Sequence, residues 1–155
     1  MPFATAALSS LGQRHASEAP LAMIVLDTDI VSDLMRPRPS AKLVERLAET
    51  ATAEQTTTAI TLGELAFGAR RLRRPELYER AMRLLAGVAV LPFDRRAAER
   101  YGSIRSELES AGRRLPDPDL RIAATALAHG AVVITGNMRH FERIPGLSCE
   151  NWLRD

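Results

Sequence analysis

Cysteine is nearly missing from this chain: Cys149 stands alone among 155 residues, so no internal disulfide can form and a reducing cytoplasm is the expected compartment. Lysine is just as scarce. Lys42 is the only one, so within a formal net charge of +2 nearly all the positive charge is arginine. The planar arginine fork matches phosphate geometry and suits nucleic-acid partners, although a compositional bias of the genome leaves the same trace. No apolar run reaches the length of a membrane span, so a soluble protein is expected. At this length the chain fits one domain that buries an ordinary core without disulfide or metal staples.

What is present is a β-branched run that ends in a carboxylate, Ile24-Val25-Leu26-Asp27-Thr28-Asp29-Ile30-Val31. Open α/β sheets place ligands and catalytic groups at the carboxyl ends of buried strands. Asp27 is therefore a functional candidate, and equally a cap for the helix that follows. Ahead of it, residues 1–22 are rich in Ala and Ser without periodicity. They are read as a disordered tail or an upstream-start extension before a domain over 23–155. Arg14 and the scarcity of acids leave a targeting peptide open, but the continuous apolar core of a secretory signal is lacking.

From Met23 onward strands and helices alternate. Strands are expected over Ile24 to Leu26, Thr56 to Ile60, Val88 to Leu91 and Ala131 to Thr135, with a fifth over Leu147 to Glu150. Helices are expected over Thr28 to Met35, Ala41 to Glu49, Thr61 to Leu72, Glu76 to Leu85, Arg95 to Ser110 and Leu120 to Ala128. This alternation predicts an α/β fold, a three-layer α/β/α sandwich around a mainly parallel sheet.

Three further polar residues sit where a strand gives way to a helix or a helix begins. Glu64 lies early in the helix after the second strand, where Thr61 and Glu64 also read as a capping box. Asp119 opens a helix, a position that the helix dipole favours for an acid on its own. Asn137 follows the fourth strand and needs no function as a turn residue. Together they bring carboxylates from distant parts of the chain to one end of one sheet, which costs mutual repulsion unless a cation sits between them. Oxygen ligands without a His or Cys cluster favour a hard ion, Mg²⁺ or Mn²⁺.

These segments resemble the PIN-domain ribonucleases, and within them the toxins of the VapC type. The resemblance spans Met23 to Trp152. It rests on Leu26-Asp27-Thr28, on Ile60-Thr61-Leu62-Gly63-Glu64-Leu65-Ala66-Phe67-Gly68, on Asp119-Leu120-Arg121-Ile122-Ala123-Ala124 and on Thr135-Gly136-Asn137-Met138-Arg139-His140-Phe141. The closing Ile144-Pro145-Gly146-Leu147 before Glu150-Asn151-Trp152 completes it. The family implies a metal-dependent endoribonuclease in which Asp27, Glu64 and Asp119 are catalytic and gather Mg²⁺ or Mn²⁺, with Asn137 as a weaker ligand. It further implies an RNA substrate touched by Arg139 and Thr28, a cognate antitoxin laid across the acidic groove beside Leu65 and Phe67, and a homodimer.

One departure stands out, because many relatives carry a fourth acid where this chain has Asn137. A weaker second metal site is the expected consequence. Asp117 either compensates or is a solvated loop acid, and Asp29 either positions a water or caps the first helix. Two other readings compete. Asp27-Thr28-Asp29-Ile30-Val31 also fits the first motif of haloacid-dehalogenase-type phosphatases, with Asp27 as nucleophile and Asp29 as acid/base. Against it, Lys42 comes too soon after the motif and no adjacent acidic pair follows the fourth strand. A PIN-fold binding module that has lost catalysis draws support from Asn137, but Asp27, Glu64 and Asp119 are all retained. His129 is expected to meet helix-terminal carbonyls, and His140 to be a surface loop residue or an RNA contact. Trp152 is expected to pack, and the run Arg70, Arg71, Arg73, Arg74 to be a solvated face, an RNA track or a binding surface for an acidic partner segment.

Overall fold

The computed structural model describes residues 22–154. The expected tail, residues 1–22, lies outside them apart from the exposed Ala22. In chain order the elements are β1 (Ile24–Leu26), α1 (Thr28–Leu34), α2 (Ala41–Glu49), a short 3-10 turn (Thr52–Glu54), β2 (Gln55–Thr58), α3 (Ala59–Arg71), α4 (Pro75–Leu84), β3 (Ala89–Leu91), α5 (Arg95–Ser110), α6 (Asp117–Ala128), β4 (Val132–Ile134), α7 (Met138–Phe141) and β5 (Cys149–Glu150).

The five strands form one sheet in the order β3-β2-β1-β4-β5, and every neighbouring pair is parallel. β1 is central because its three residues are all buried apolar ones, which suits a strand covered on both faces. Its alternation then divides the interior. Ile24 and Leu26 face a core with Ile30, Val31, Leu43, Leu47 and Trp152. Val25 faces the opposite one with Ile104, Leu108, Ile122, Val133 and Phe141. Helices α1 to α4 therefore contribute mainly to one face and α5 to α7 to the other, the three layers expected.

β2 departs from the ordinary apolar strand, since Gln55, Thr56, Thr57 and Thr58 are all buried. The hydroxyls repay their desolvation locally: Thr56 Oγ1 donates to the Ile24 carbonyl at 2.6 Å and Thr57 Oγ1 to that of Leu26 at 2.9 Å. The expected strand Thr56 to Ile60 is corrected here. It ends at Thr58, because that residue's hydroxyl accepts from Thr61 N at 3.1 Å and starts α3 two residues earlier than expected. Thr58 is thus the cap, and the expected Thr61/Glu64 capping box is not formed; Glu64 sits in the second turn. α6 begins at Asp117 rather than near Asp119, with Pro118 in its first turn, and α7 was not expected at all.

The strand order has a functional consequence. From β1 the chain moves outward to β2 and β3, then returns to the other side of β1 as β4 and β5. β1 and β4 thus flank a topological switch point, where an open α/β sheet leaves a crevice beyond its strand ends.

Candidate functional site

A cleft of about 570 Å³ opens at that point, lined among others by Asp27, Thr28, Asp29, Glu64, Asp119 and Asn137. All four positions singled out from sequence therefore meet, although they come from β1's end, α3, α6 and the β4–α7 junction.

Asp27 is only 5% exposed. One carboxylate oxygen accepts from Thr28 N at 2.8 Å, so it caps α1, and the other accepts from Thr135 Oγ1 at 2.7 Å. Asp27 is thus a helix cap that also stands on the cleft wall. Burial, followed by the charge of Asp29, pushes its pKa up to about 7, against the opposing pull of the Thr135 and Thr28 bonds. Burial raises Asp29 as well. Asp29 does not cap α1; its Oδ2 accepts from Gly136 N at 2.8 Å and ties the loop after β4 to α1. Among the described residues its Oδ1 is buried without a hydrogen-bond partner, an expensive state for a carboxylate oxygen.

Glu64 Oε1 accepts from Thr28 Oγ1 at 2.7 Å, and Thr28 in turn lies 3.4 Å from the buried Thr61 hydroxyl. Asp119 Oδ2 lies 2.6 Å from His140 Nδ1, and the Asn137 Nδ2 lies 3.5 Å from the same oxygen and 2.7 Å from that ring nitrogen. His140 is thus bound into the site rather than being a loose loop residue. From sequence it reads only as a surface loop residue or an RNA contact, because its placement depends on α7, which turns it back onto α6. The signal available was its spacing, three residues after Asn137 on a helix, hence on the same side.

Asp117 does not join the cluster. It holds Arg121 Nε at 2.5 Å and the Tyr101 hydroxyl, and that Tyr101 bond leads the effects that keep its carboxyl below the usual range. It does not compensate for Asn137, and although its side chain is half-exposed it stands in the first turn of α6 rather than in a loop. Arg139 is exposed on α7, outside the cleft lining. His129 Nδ1 lies 3.0 Å from the Thr125 carbonyl at the end of α6, as expected, and Trp152 packs in the core with Arg46 stacked 4.7 Å over its ring. Arg70, Arg71, Arg73 and Arg74 are exposed, and Phe67 is 66% exposed beside Leu65, which is buried.

The donors facing the cleft are oxygens, and Asp27 and Asp29 each feel the charge of Asp119 across it. A divalent cation suits such a set, since it would relieve the repulsion among these carboxylates. As the side chains stand, however, no three His, Cys, Asp or Glu groups among the described residues converge closely enough to share one ion. Glu64 leans on Thr28 and Asp119 on His140 instead.

A family model for the PIN domain matches residues 24–147. Ribonuclease VapC2 of Haemophilus influenzae is 31% identical over 130 residues, which span 83% of this chain and 97% of that protein. The tRNA(fMet)-specific endonuclease VapC of Shigella flexneri is 33% identical over 132 residues, 83% of this chain and 96% of that one. Among solved structures, DNA-bound VapBC from Salmonella typhimurium superposes with a TM-score of 0.77 at 34% identity, covering 85% of this chain and 99% of that one. VapBC-1 from nontypeable Haemophilus influenzae gives 0.76 at 33%, covering 84% and 98%. Motif order, strand order, cleft and these matches agree, and the chain belongs to the PIN domain family.

Proposed function

We propose that this protein is a Mg²⁺- or Mn²⁺-dependent endoribonuclease, the toxin of a toxin–antitoxin pair acting on cytoplasmic RNA. The observation that carries the reading is the convergence of Asp27, Glu64, Asp119 and Asn137 on one cleft at the sheet's switch point. Relatives named ribonuclease and endonuclease, and solved structures of VapBC complexes, support the activity and the antitoxin partner.

In this reading Asp27, Glu64 and Asp119 hold the ion, with Asn137 as a neutral fourth donor. The ion, when bound, supplies charge to the scissile phosphate and lowers the pKa of an attacking water. Asp27 is positioned for its part by Thr135 and by the α1 backbone, and Glu64 by Thr28. Asp29 acts indirectly by fastening the Gly136–Asn137 loop to α1. Thr28 on the cleft wall and the exposed Arg139 are assigned to the RNA strand.

The phosphatase reading fits poorly. Asp29, its acid/base, is committed to the Gly136 amide, and Lys42 Nζ donates to the Arg154 carbonyl. For the nuclease reading, Asp27→Asn and Glu64→Gln should each abolish cleavage of cellular RNA by the purified protein in Mg²⁺ or Mn²⁺, with the circular-dichroism spectrum unchanged. Cleavage by Asp27→Asn at the wild-type rate would sink the assignment. Expression of the wild type should arrest growth, and co-expression of the cognate antitoxin should restore it. Harmless expression of a folded, metal-binding protein would favour the impaired binding module.

A further inference from the structure

Asp119, Asn137 and His140 meet at one point, and their hydrogen bonding does not close. His140 Nδ1 lies 2.6 Å from Asp119 Oδ2 and 2.7 Å from Asn137 Nδ2. A ring nitrogen carries one hydrogen or one lone pair, so it cannot both donate to the carboxylate and accept from the amide. Half a turn of the Asn137 amide exchanges Nδ2 for Oδ1, and the place then holds three electron-rich atoms of ligand type, a carboxylate oxygen, an amide oxygen and an imidazole nitrogen. A proton on Nδ1 reaches both oxygens only by splitting into a three-centre bond, which is weaker in each half than a linear one. A cation can serve all three.

We propose that His140 is itself a metal ligand in this chain, its Nδ1 joining Asp119 and Asn137 around one divalent ion. The idea rests on the nuclease reading for the ion's role in catalysis, but the site is argued from these three side chains alone. Its chemistry differs from an all-carboxylate site. An imidazole nitrogen is a poor partner for Mg²⁺ and a better one for transition ions, so this constellation prefers Mn²⁺. The neutral Asn137 thereby trades charge for selectivity. Access is open, with the His140 side chain 30% exposed and Asp119 facing the cleft. The imidazole also belongs to a short helix whose next residue, Phe141, is fully buried in the core, which fixes the ring's approach to α6.

The test is pulsed electron paramagnetic resonance of Mn²⁺ bound to the full-length protein, which detects a directly coordinated imidazole nitrogen. Nitrogen coupling is expected in the wild type and should vanish in His140→Gln, which retains a polar side chain, and in His140→Ala. Titration of the same samples should show Mn²⁺ affinity falling at least roughly tenfold in both variants, while Mg²⁺ affinity moves by less than about twofold. Mn²⁺ bound through oxygen alone in the wild type would overturn the proposal and leave the nuclease reading intact. Coupling that survives in His140→Gln would assign the nitrogen to His15 or His129 and overturn it as well. Absence of any Mn²⁺ or Mg²⁺ binding would overturn both readings together.

Discussion

At the scale of single residues, Asp27 shows how a site stores electrostatic tension. Folded, it keeps its proton up to about pH 7; its ordinary value is 3.8. Between those values the folded chain binds more protons than the unfolded one, so this group's stabilising contribution is present at low pH and lost as pH rises through the window. Asp27→Asn mimics the protonated acid and does not titrate. In metal-free buffer it should match the wild type near pH 4 and exceed it by on the order of 1–3 kcal/mol at pH 8, read as a higher melting temperature. Equal stability at pH 8 would mean that the carboxyl is not strained. Gly136 offers a second case: a Cβ there would lie 2.7 Å from both Asp29 Oδ2 and Leu153 Cδ1. Gly136→Ala should push Asp29 off the Gly136 amide and cost about 1–3 kcal/mol, a loss of several degrees in thermal denaturation. A melting temperature within a degree of wild type would show that the loop yields freely. The place of Asp27 was legible in sequence because a short β-branched run that ends in an acid puts that acid at a strand's carboxyl end whether it caps a helix or faces a ligand. His140 was not, because its meaning depends on a contact with α6 that no local pattern encodes.

At the scale of elements, the junction between β2 and α3 decides where Glu64 points. The pattern of the segment made Ile60 look like strand, since β-branched residues run on past Thr58. One hydroxyl overrides that preference: Thr58 satisfies an amide that would otherwise be orphaned at the helix start, so the strand stops and the helix phase is set. Thr58→Ala should therefore cost about 1 kcal/mol in chemical denaturation. Because Glu64 rides on the same helix, Mn²⁺ affinity should fall with it, and unchanged affinity would separate the cap from the site. The long helices and buried strands were legible because their apolar spacing is extended. Boundaries were less so, since they are set by single side-chain bonds such as this one and by the Asp117–Arg121 pair that begins α6.

At the scale of the whole molecule, the three layers and the parallel sheet followed from alternation of elements, whereas the strand order did not, because every connection is compatible with several arrangements. The order matters most, since it puts β4 beside β1 and creates the cleft. The partner's surface belongs to this scale too. Phe67 on α3 and Leu72 just after it are each more than half open to solvent, and an antitoxin contact at Phe67 would cover apolar surface. Light scattering of the co-expressed pair should give a mass of two copies of this chain plus two antitoxins, and Phe67→Asp should release antitoxin while preserving RNA cleavage. A complex that survives Phe67→Asp would move the contact elsewhere. The β1–β4 pairing also has a consequence in time. The Asp27 amide bonds to Ile134, and Thr135 supplies the hydroxyl that steadies Asp27, so the cleft cannot exist until the last quarter of the chain joins the first strand. Synthesis runs from the amino end, so β1 is made long before the β4 that completes its site. On a nascent chain the nuclease site therefore stays incomplete until β4 has been made and has paired with β1.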